Sequence, residues 1–427
     1  MTTNFTWTPG QYEALTKIRE FLQSDDTLFV LSGSAGTGKT SLLVGIPRLV
    51  PKGLTVATAP THKACHVLRE KIPDIDCMTI HSFLGLRPKK IKGQEVLVRS
   101  KSYDPSEHMN VTTVICDEAS MVDSKIMKFI LEDKETWRRK YILVGDRYQL
   151  PPVNEKVSPC FALPLPEHCQ MELREVVRQA ADNPVIYVAT DIRNAIITSK
   201  EPPLRAKKND AMVGVHVLKR EAWIEKLRLS VQDPRFKTDP DWLRVLAYRN
   251  ETVITYNQLI RGMLGEDASV PFSKGDVVTA KSPWVVDDEV LMMTGAEFTI
   301  AHLEPHTHPA FPQLRGWQVF LEEISSMPIY VLDYLGSAKA YKEVLENLTR
   351  EGIESGNWSP YYRMQEYYAD LRPVYALTIH QSQGSTFTNV MVDFMDIYEK
   401  RHSNLSEADK CYYVAVTRAT HNVVLLA

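Results

Sequence analysis

Gly33-Ser34-Ala35-Gly36-Thr37-Gly38-Lys39-Thr40 directly follows the apolar run Thr27 to Leu31, so a glycine-rich loop stands where a strand would hand over to a helix. In such a loop the glycines let the backbone curl until its N–H groups converge on phosphate oxygens, which also meet the positive end of the following helix. Lys39 would reach the outer phosphates of a nucleotide and Thr40 would hold Mg²⁺, with Ser41 completing the cofactor-binding set.

Two adjacent acids divide a second task. Cys116-Asp117-Glu118-Ala119-Ser120 ends another apolar run; Asp117 would share the Mg²⁺ with Thr40, and Glu118 would polarise the water that attacks a γ-phosphate. A third strand end, Leu143 to Asp146, runs into Arg147-Tyr148-Gln149-Leu150-Pro151-Pro152-Val153. Gln149 there is a candidate γ-phosphate sensor and equally a plain loop residue. Phosphoryl transfer needs positive charge beyond a lysine and a metal. Arg178 follows Leu173-Arg-Glu-Val-Val177, and Arg418 closes the apolar segment Tyr413 to Ala419, where its guanidinium is expected at an exposed end. If both arginines faced a nucleotide between two lobes, closure on ATP and opening after hydrolysis would make a stroke.

The elements that must position these groups read as α/β, with short apolar runs alternating with helical patterns. Strands are expected at Thr27 to Leu31, Leu54 to Thr58, Thr112 to Cys116 and Tyr141 to Val144, and helices at Pro9 to Gln23, Lys39 to Val50, Lys63 to Lys71 and Ser124 to Asp133. A second set begins near Leu173 and includes Trp242 to Tyr248, Val390 to Phe394 and Val423 to Leu426, so two lobes of one architecture are expected. Between Ala268 and Pro373 come β-rich runs and then a helical, aromatic-rich stretch, read as an insertion.

Composition bounds the rest. The chain has 427 residues, 44% hydrophobic and 24% charged, which is ordinary globular usage. No apolar stretch approaches the ~20 residues that cross a bilayer, and the N-terminus lacks a basic-then-apolar leader, so a cytoplasmic protein without a membrane partner is expected. Six cysteines without a CxxC pair argue against zinc and disulfides and for reduced, buried thiols. A net charge of -3 requires any nucleic-acid binding to come from a local basic groove.

Gln11, GSAGTGKT, TAPTHKA (Thr58 to Ala64), TIHSFLG (Thr79 to Gly85), DEAS, GDRYQLPPV, LREVVRQ (Leu173 to Gln179), TIHQSQGSTF (Thr378 to Phe387) and YVAVTRA occur in that order. The series resembles superfamily 1 helicases of the RecD-like branch, and the chain's size and insertion resemble the Dda-like phage members. The resemblance implies two RecA-like P-loop NTPase lobes, the first formed by residues 1–84 and 109–170 and the second by 171–267 and 374–427. It also implies an inserted β-hairpin pin at 85–108 and an SH3-like β-barrel with a helical aromatic arm at 268–373. The implied activity is an ATP-dependent DNA helicase moving 5′-to-3′ on single-stranded DNA and unwinding duplex, with ATP and Mg²⁺ as cofactors. Gln11 would read the adenine edge. DNA contacts would come from Pro60, Thr61, His62, Lys63, Thr79, His81, Ser82, Thr378, His380, Gln381 and Ser382. Implied partners are single-stranded, forked and partial-duplex DNA together with single-strand-binding or replisome proteins. The implied form is a monomer, associated with the nucleoid of a bacterial or phage-infected cell.

Those contacts make physical sense, because sequence-independent binding needs short hydroxyl donors and stacking rings more than base-edge readers. Thr61, Thr79, Ser82 and Thr378 would supply the hydroxyls, and His62 and His81 would either stack on bases or be neutral, hydrogen-bonded core residues. Arg87 to Lys101 carries six basic residues and one acid around Gly93, a basic hairpin that serves as a fork pin or as a solvated loop. Phe83 precedes it. Trp358 to Tyr362 and Tyr367-Tyr368 would anchor the arm or form an aromatic mini-core, and His306-Thr-His308 reads as an exposed loop, not a metal site. Two other functions fit the motifs: a translocase that displaces proteins or moves on RNA with little unwinding, and an ATP-gated DNA-binding assembly factor. Glu118 and the two arginines argue against the latter.

Overall fold

The computed structural model describes residues 7–50, 53–91, 94–101, 103–177, 182–267, 269–286, 289–293, 295–324 and 327–427. The first apolar runs become β1 (Leu28–Gly33), β2 (Thr55–Ala59) and β3 (Asp76–Thr79), and after a hairpin of β4 (Leu86–Ile91) and β5 (Gln94–Arg99) come β6 (Thr113–Cys116), β7 (Lys140–Gly145) and β8 (Gln170–Leu173). Six of these form a parallel sheet in the order β3-β2-β6-β7-β1-β8. Strands β1 and β6 are buried at every residue, as a parallel sheet covered on both faces requires. The order sets β6, β7 and β1 side by side, with Ser32 opposite Gly145 and Cys116 opposite Leu143, so the three chemically loaded loops leave one edge of the sheet together.

The helix Pro9–Gln23 starts where the sequence places it, with Thr8 and Gln11 closing a capping box, Pro9 in the first turn, and Gln11, Ala14, Ile18 and Phe21 forming the buried stripe. The expected helix Lys39 to Val50 is instead two pieces, an α-helix at Lys39–Leu43 and a 3₁₀ turn at Ile46–Leu49. Gly45 and Pro47 account for the break, since proline has no N–H to continue the ladder. A second correction concerns Leu173, which lies on β8 at the edge of the first sheet and pairs with Gly33, so it does not open the second lobe.

The second sheet has the order β12-β11-β13-β14-β10-β9, built from β9 (Lys207–Lys208), β10 (Gly214–Leu218), β11 (Leu243–Ala247), β12 (Ala376–Thr378), β13 (Phe387–Asp393) and β14 (Ala419–Leu426). Strands β11, β13, β14 and β10 run parallel. The helices Pro184–Ile197 and Leu405–Thr417 belong to this lobe. By its contacts the chain divides into two compact units. Residues 1–230, 241–253 and 377–427 hold both parallel sheets, and residues 231–240 and 254–376 form the other unit, wider than the expected insertion at 268–373.

That second unit contains an antiparallel five-stranded sheet around a core that includes Val278, Ile300, Val319 and Ile329. Its helices Tyr334–Ser355 and Ser359–Tyr367 share a cluster with Leu314, Leu332, Met364 and Tyr368. His306 and His308 are not an exposed loop. His306 packs 4.3 Å from Tyr330 and bonds Tyr367 Oη at 2.8 Å, and His308 is buried 4.3 Å from Tyr367, so the histidines complete an aromatic mini-core. All six cysteines are free and buried. Among the described residues, no helix is long and apolar enough to cross a membrane.

Candidate active site and nucleic-acid interface

The phosphate loop leaves β1 and turns through Gly36 and Gly38, whose φ values of +80° and +74° favour glycine. At Gly38 a Cβ would also lie 2.4 Å from Gln11 Nε2, so the position excludes side chains twice over. Lys39 Nζ donates to the carbonyls of Gly33 at 2.6 Å and Ser34 at 3.2 Å, holding the loop on itself. Gln11 is buried; its Oε1 accepts the Thr8 N–H at 3.0 Å and its Nε2 donates to the carbonyls of Thr37 and Gly38 at 3.3 and 3.4 Å. Its amide therefore ties the helix start to the loop, with Oε1 closing the helix cap and Nε2 bracing the loop carbonyls.

Asp117 and Glu118 follow β6 as expected. Asp117 accepts the Glu118 N–H at 2.9 Å, and burial first, then the Glu118 charge, push its carboxyl well above the usual carboxylate range. Glu118 adopts φ +50°, a left-handed conformation that costs a non-glycine residue about 1 kcal/mol or more. Its Oε2 and the Oε1 of Gln149 are buried without a hydrogen-bond partner among the described residues. Orphaned acceptors in a buried site are expensive and point to a donor such as water or a ligand.

Several groups of the second lobe meet this edge. Arg193, on the helix Pro184–Ile197, donates from Nη1 to Ser34 Oγ. Tyr413, on the helix Leu405–Thr417, accepts the Ala35 N–H at 3.0 Å and donates to Asp146 Oδ2 at 2.7 Å. The Val177 N–H donates to Gly36 O at 2.9 Å, while the neighbouring Arg178 lies outside the described residues. Arg418 is buried and not at an exposed end, because Leu405–Thr417 carries it inward as its C-cap. There it donates to the carbonyls of Val414 and Ser385 at 3.2 and 3.1 Å, and the Glu118 charge favours its cationic form against the cost of burial. Residue type and spacing alone assign no role to Arg193, Tyr413 or Asp146. The signal for Arg193 was a cation inside the apolar pattern PVIYVATDIRNAII.

The candidate DNA residues divide by exposure. Gly384 of TIHQSQGSTF would carry a Cβ 3.3 Å from Thr61 Oγ1, so that segment lies against TAPTHKA across the lobes. His62 and Ser82 are exposed, and Pro60, Thr61, Lys63, His81, His380 and Gln381 are half-buried. Thr61 and Thr79 are N-caps, accepting from the N–H groups of Ala64 and Ser82. Thr79, Thr378 and Ser382 are buried, and Ser382 donates to Ile379 O at 2.8 Å, so their hydroxyls serve local turns instead of an outer surface. Lys63 pairs with Asp241 of the second lobe at 2.6 Å and sits 4.7 Å over the Phe387 ring. His380 packs edge-on to Tyr248, and burial holds the pKa of both His81 and His380 below the usual imidazole value.

Comparison with known proteins agrees with this arrangement. Residues 6–200 match the AAA domain family and residues 373–426 the UvrD-like helicase C-terminal domain family. Over 97% of its length the chain is 25% identical to the ATP-dependent DNA helicase Dda of Enterobacteria phage T4, covering 98% of that protein. It is 24% identical to the ATP-dependent DNA helicase PIF1 of Xenopus laevis, over 91% of this chain and 56% of the relative. The crystal structure of a Bacteroides Pif1 helicase with ADP-AlF3 and single-stranded DNA aligns with 99% of this chain and 93% of its own, at a TM-score of 0.52 and 17% identity, a likeness of fold. In its ordered motifs, its RecA-like parallel sheets and its full-length likeness to Dda, the chain is similar to the Dda- and Pif1-like helicases of superfamily 1.

Proposed function

We propose that the chain is an ATP-dependent DNA helicase that translocates 5′-to-3′ on single-stranded DNA and separates duplex. One observation carries the reading: the phosphate loop of one lobe is met by Arg193 and Tyr413 of the other, so nucleotide in the loop bears directly on how the lobes sit. ATP would occupy Gly33 to Ser41, with Glu118 orienting the attacking water and Gln149, Arg178 and Arg418 on the γ-phosphate side. Adenine recognition would require Gln11 to release the loop carbonyls. Two adjacent carboxylates, one pushed up by burial, fit a cation, so Asp117 and Thr40 would hold Mg²⁺. Bound there, it would neutralise phosphate charge.

The lobes are residues 1–84 with 109–173, β8 included, and 174–267 with 374–427. The hairpin at 85–108 is the candidate pin, and residues 268–373 the candidate SH3-like barrel with its arm. Single-stranded and forked DNA are the substrates, tracked past His62, His81, Ser82 and His380. Steady-state ATPase with and without oligo-dT tests the enzyme reading, and no stimulation by single strands would end it. Partial duplexes bearing a 5′ or a 3′ tail test polarity; unwinding from the 3′ tail alone would reverse the assignment.

A further inference from the structure

We infer that Arg193 is a phosphate-contacting residue of the second lobe, which exchanges Ser34 Oγ for the terminal phosphate of a bound nucleoside triphosphate; the inference rests on the ATPase reading above. Arg193 sits beside the buried stripe Val185, Val188, Ala189, Ile192 and Ala195, and reaches out of its own lobe to the phosphate loop. Its Nη1 meets a neutral hydroxyl. Its Nε is buried and makes no hydrogen bond among the described residues. A half-buried cation whose inner Nε is unused lacks an anion, and the loop it touches is shaped for one. Nε and Nη together match two oxygens of a phosphate, and such charge-assisted, bidentate bonds are about twice as strong as a neutral one, so triphosphate would outcompete Ser34 Oγ. Arg418 differs, since carbonyls of its own lobe already hold it.

The test measures equilibrium binding of ADP and of AMP-PNP to the full chain, wild type and Arg193→Gln, with turnover recorded alongside. The expected result is AMP-PNP affinity lowered about tenfold with ADP affinity held within about twofold, and turnover lowered on the order of a hundredfold. Unchanged binding of both nucleotides would overturn the inference, and so would equal loss of both, which would mark Arg193 as structural. If Arg193→Gln melts below the assay temperature, Arg193→Lys, which keeps the charge but not the fork, replaces it under the same two criteria. Wild-type turnover is a separate readout: its absence would sink the ATPase reading, while the binding comparison still decides Arg193.

Discussion

Tyr413 donates its hydroxyl to Asp146 Oδ2 at 2.7 Å while accepting the Ala35 N–H at 3.0 Å, so one oxygen of the second lobe joins two loops of the first. Burial, with Asp146 beside it, raises the hydroxyl well above the ordinary tyrosine value, which keeps it protonated and donating. Asp146 is itself buried, and its other oxygen accepts the Tyr148 N–H at 2.9 Å. Tyr413→Phe leaves a buried carboxylate short of a donor and should cost about 1.5–3 kcal/mol of stability, the range for hydrogen bonds to charged groups. Urea unfolding of Tyr413→Phe, Asp146→Asn and the double variant would measure it. Additive losses would mean the pair is not coupled.

Lys39 is held by the Gly33 and Ser34 carbonyls, an arrangement that presets the loop. Lys39→Ala should abolish ATP hydrolysis with the fold retained, because neutral carbonyls lose only one shared donor whereas the phosphates lose their fixed cation. Turnover within about tenfold of wild type, measured at saturating ATP, would remove Lys39 from the chemistry.

The sequence disclosed what depends on local pattern and hid what depends on packing between lobes. Thr8, Pro9 and the stripe through Phe21 are cap, first-turn and periodicity signals, and the helix has the expected ends. The glycines at 36 and 38 and the acids after β6 are likewise written in residue type. Arg418 escaped correct placement because exposure at a helix end depends on which neighbour covers it, here the segment carrying Ser385. Thr79, Thr378 and Ser382 match a motif yet point into local turns, since motif identity does not specify side-chain direction. Arg193 and Tyr413 matter only because two distant segments meet, and no spacing records that.

The hairpin pairs from Leu86 with Arg99 to Ile91 with Gln94, and its base is fixed independently of its tip. Tyr103 lies over Gly85 and donates to Phe83 O at 3.0 Å, while Arg139 stacks 5.2 Å from the Phe83 ring and pairs with buried Asp133. Phe83 is thus a core residue. Deleting Lys89 to Val98 removes the tip and leaves this anchor, so DNA-stimulated ATPase should survive within about twofold while strand separation of a 5′-tailed duplex collapses. Unwinding at the wild-type rate would strip the hairpin of any role as a pin.

His81 and His380 contribute to the acid side of the stability profile. Burial lowers both below the ordinary imidazole value, although the charges of Asp123 and Glu407 respectively oppose the shift. A base whose folded pKa is depressed takes up its proton first in the unfolded chain, so stability is full above about pH 6.5 and falls as pH drops below it. Each such group contributes a slope of at most about 1.4 kcal/mol per pH unit. Between pH 7.5 and 5.5 the wild type should therefore lose more thermal stability than the His81→Gln, His380→Gln double variant. An identical loss in both proteins would show that these rings do not titrate with unfolding. The same neutrality suits the proposed track, because an uncharged imidazole can stack on a base without demanding a phosphate, and protonation at acid pH would make single-strand binding more sensitive to salt.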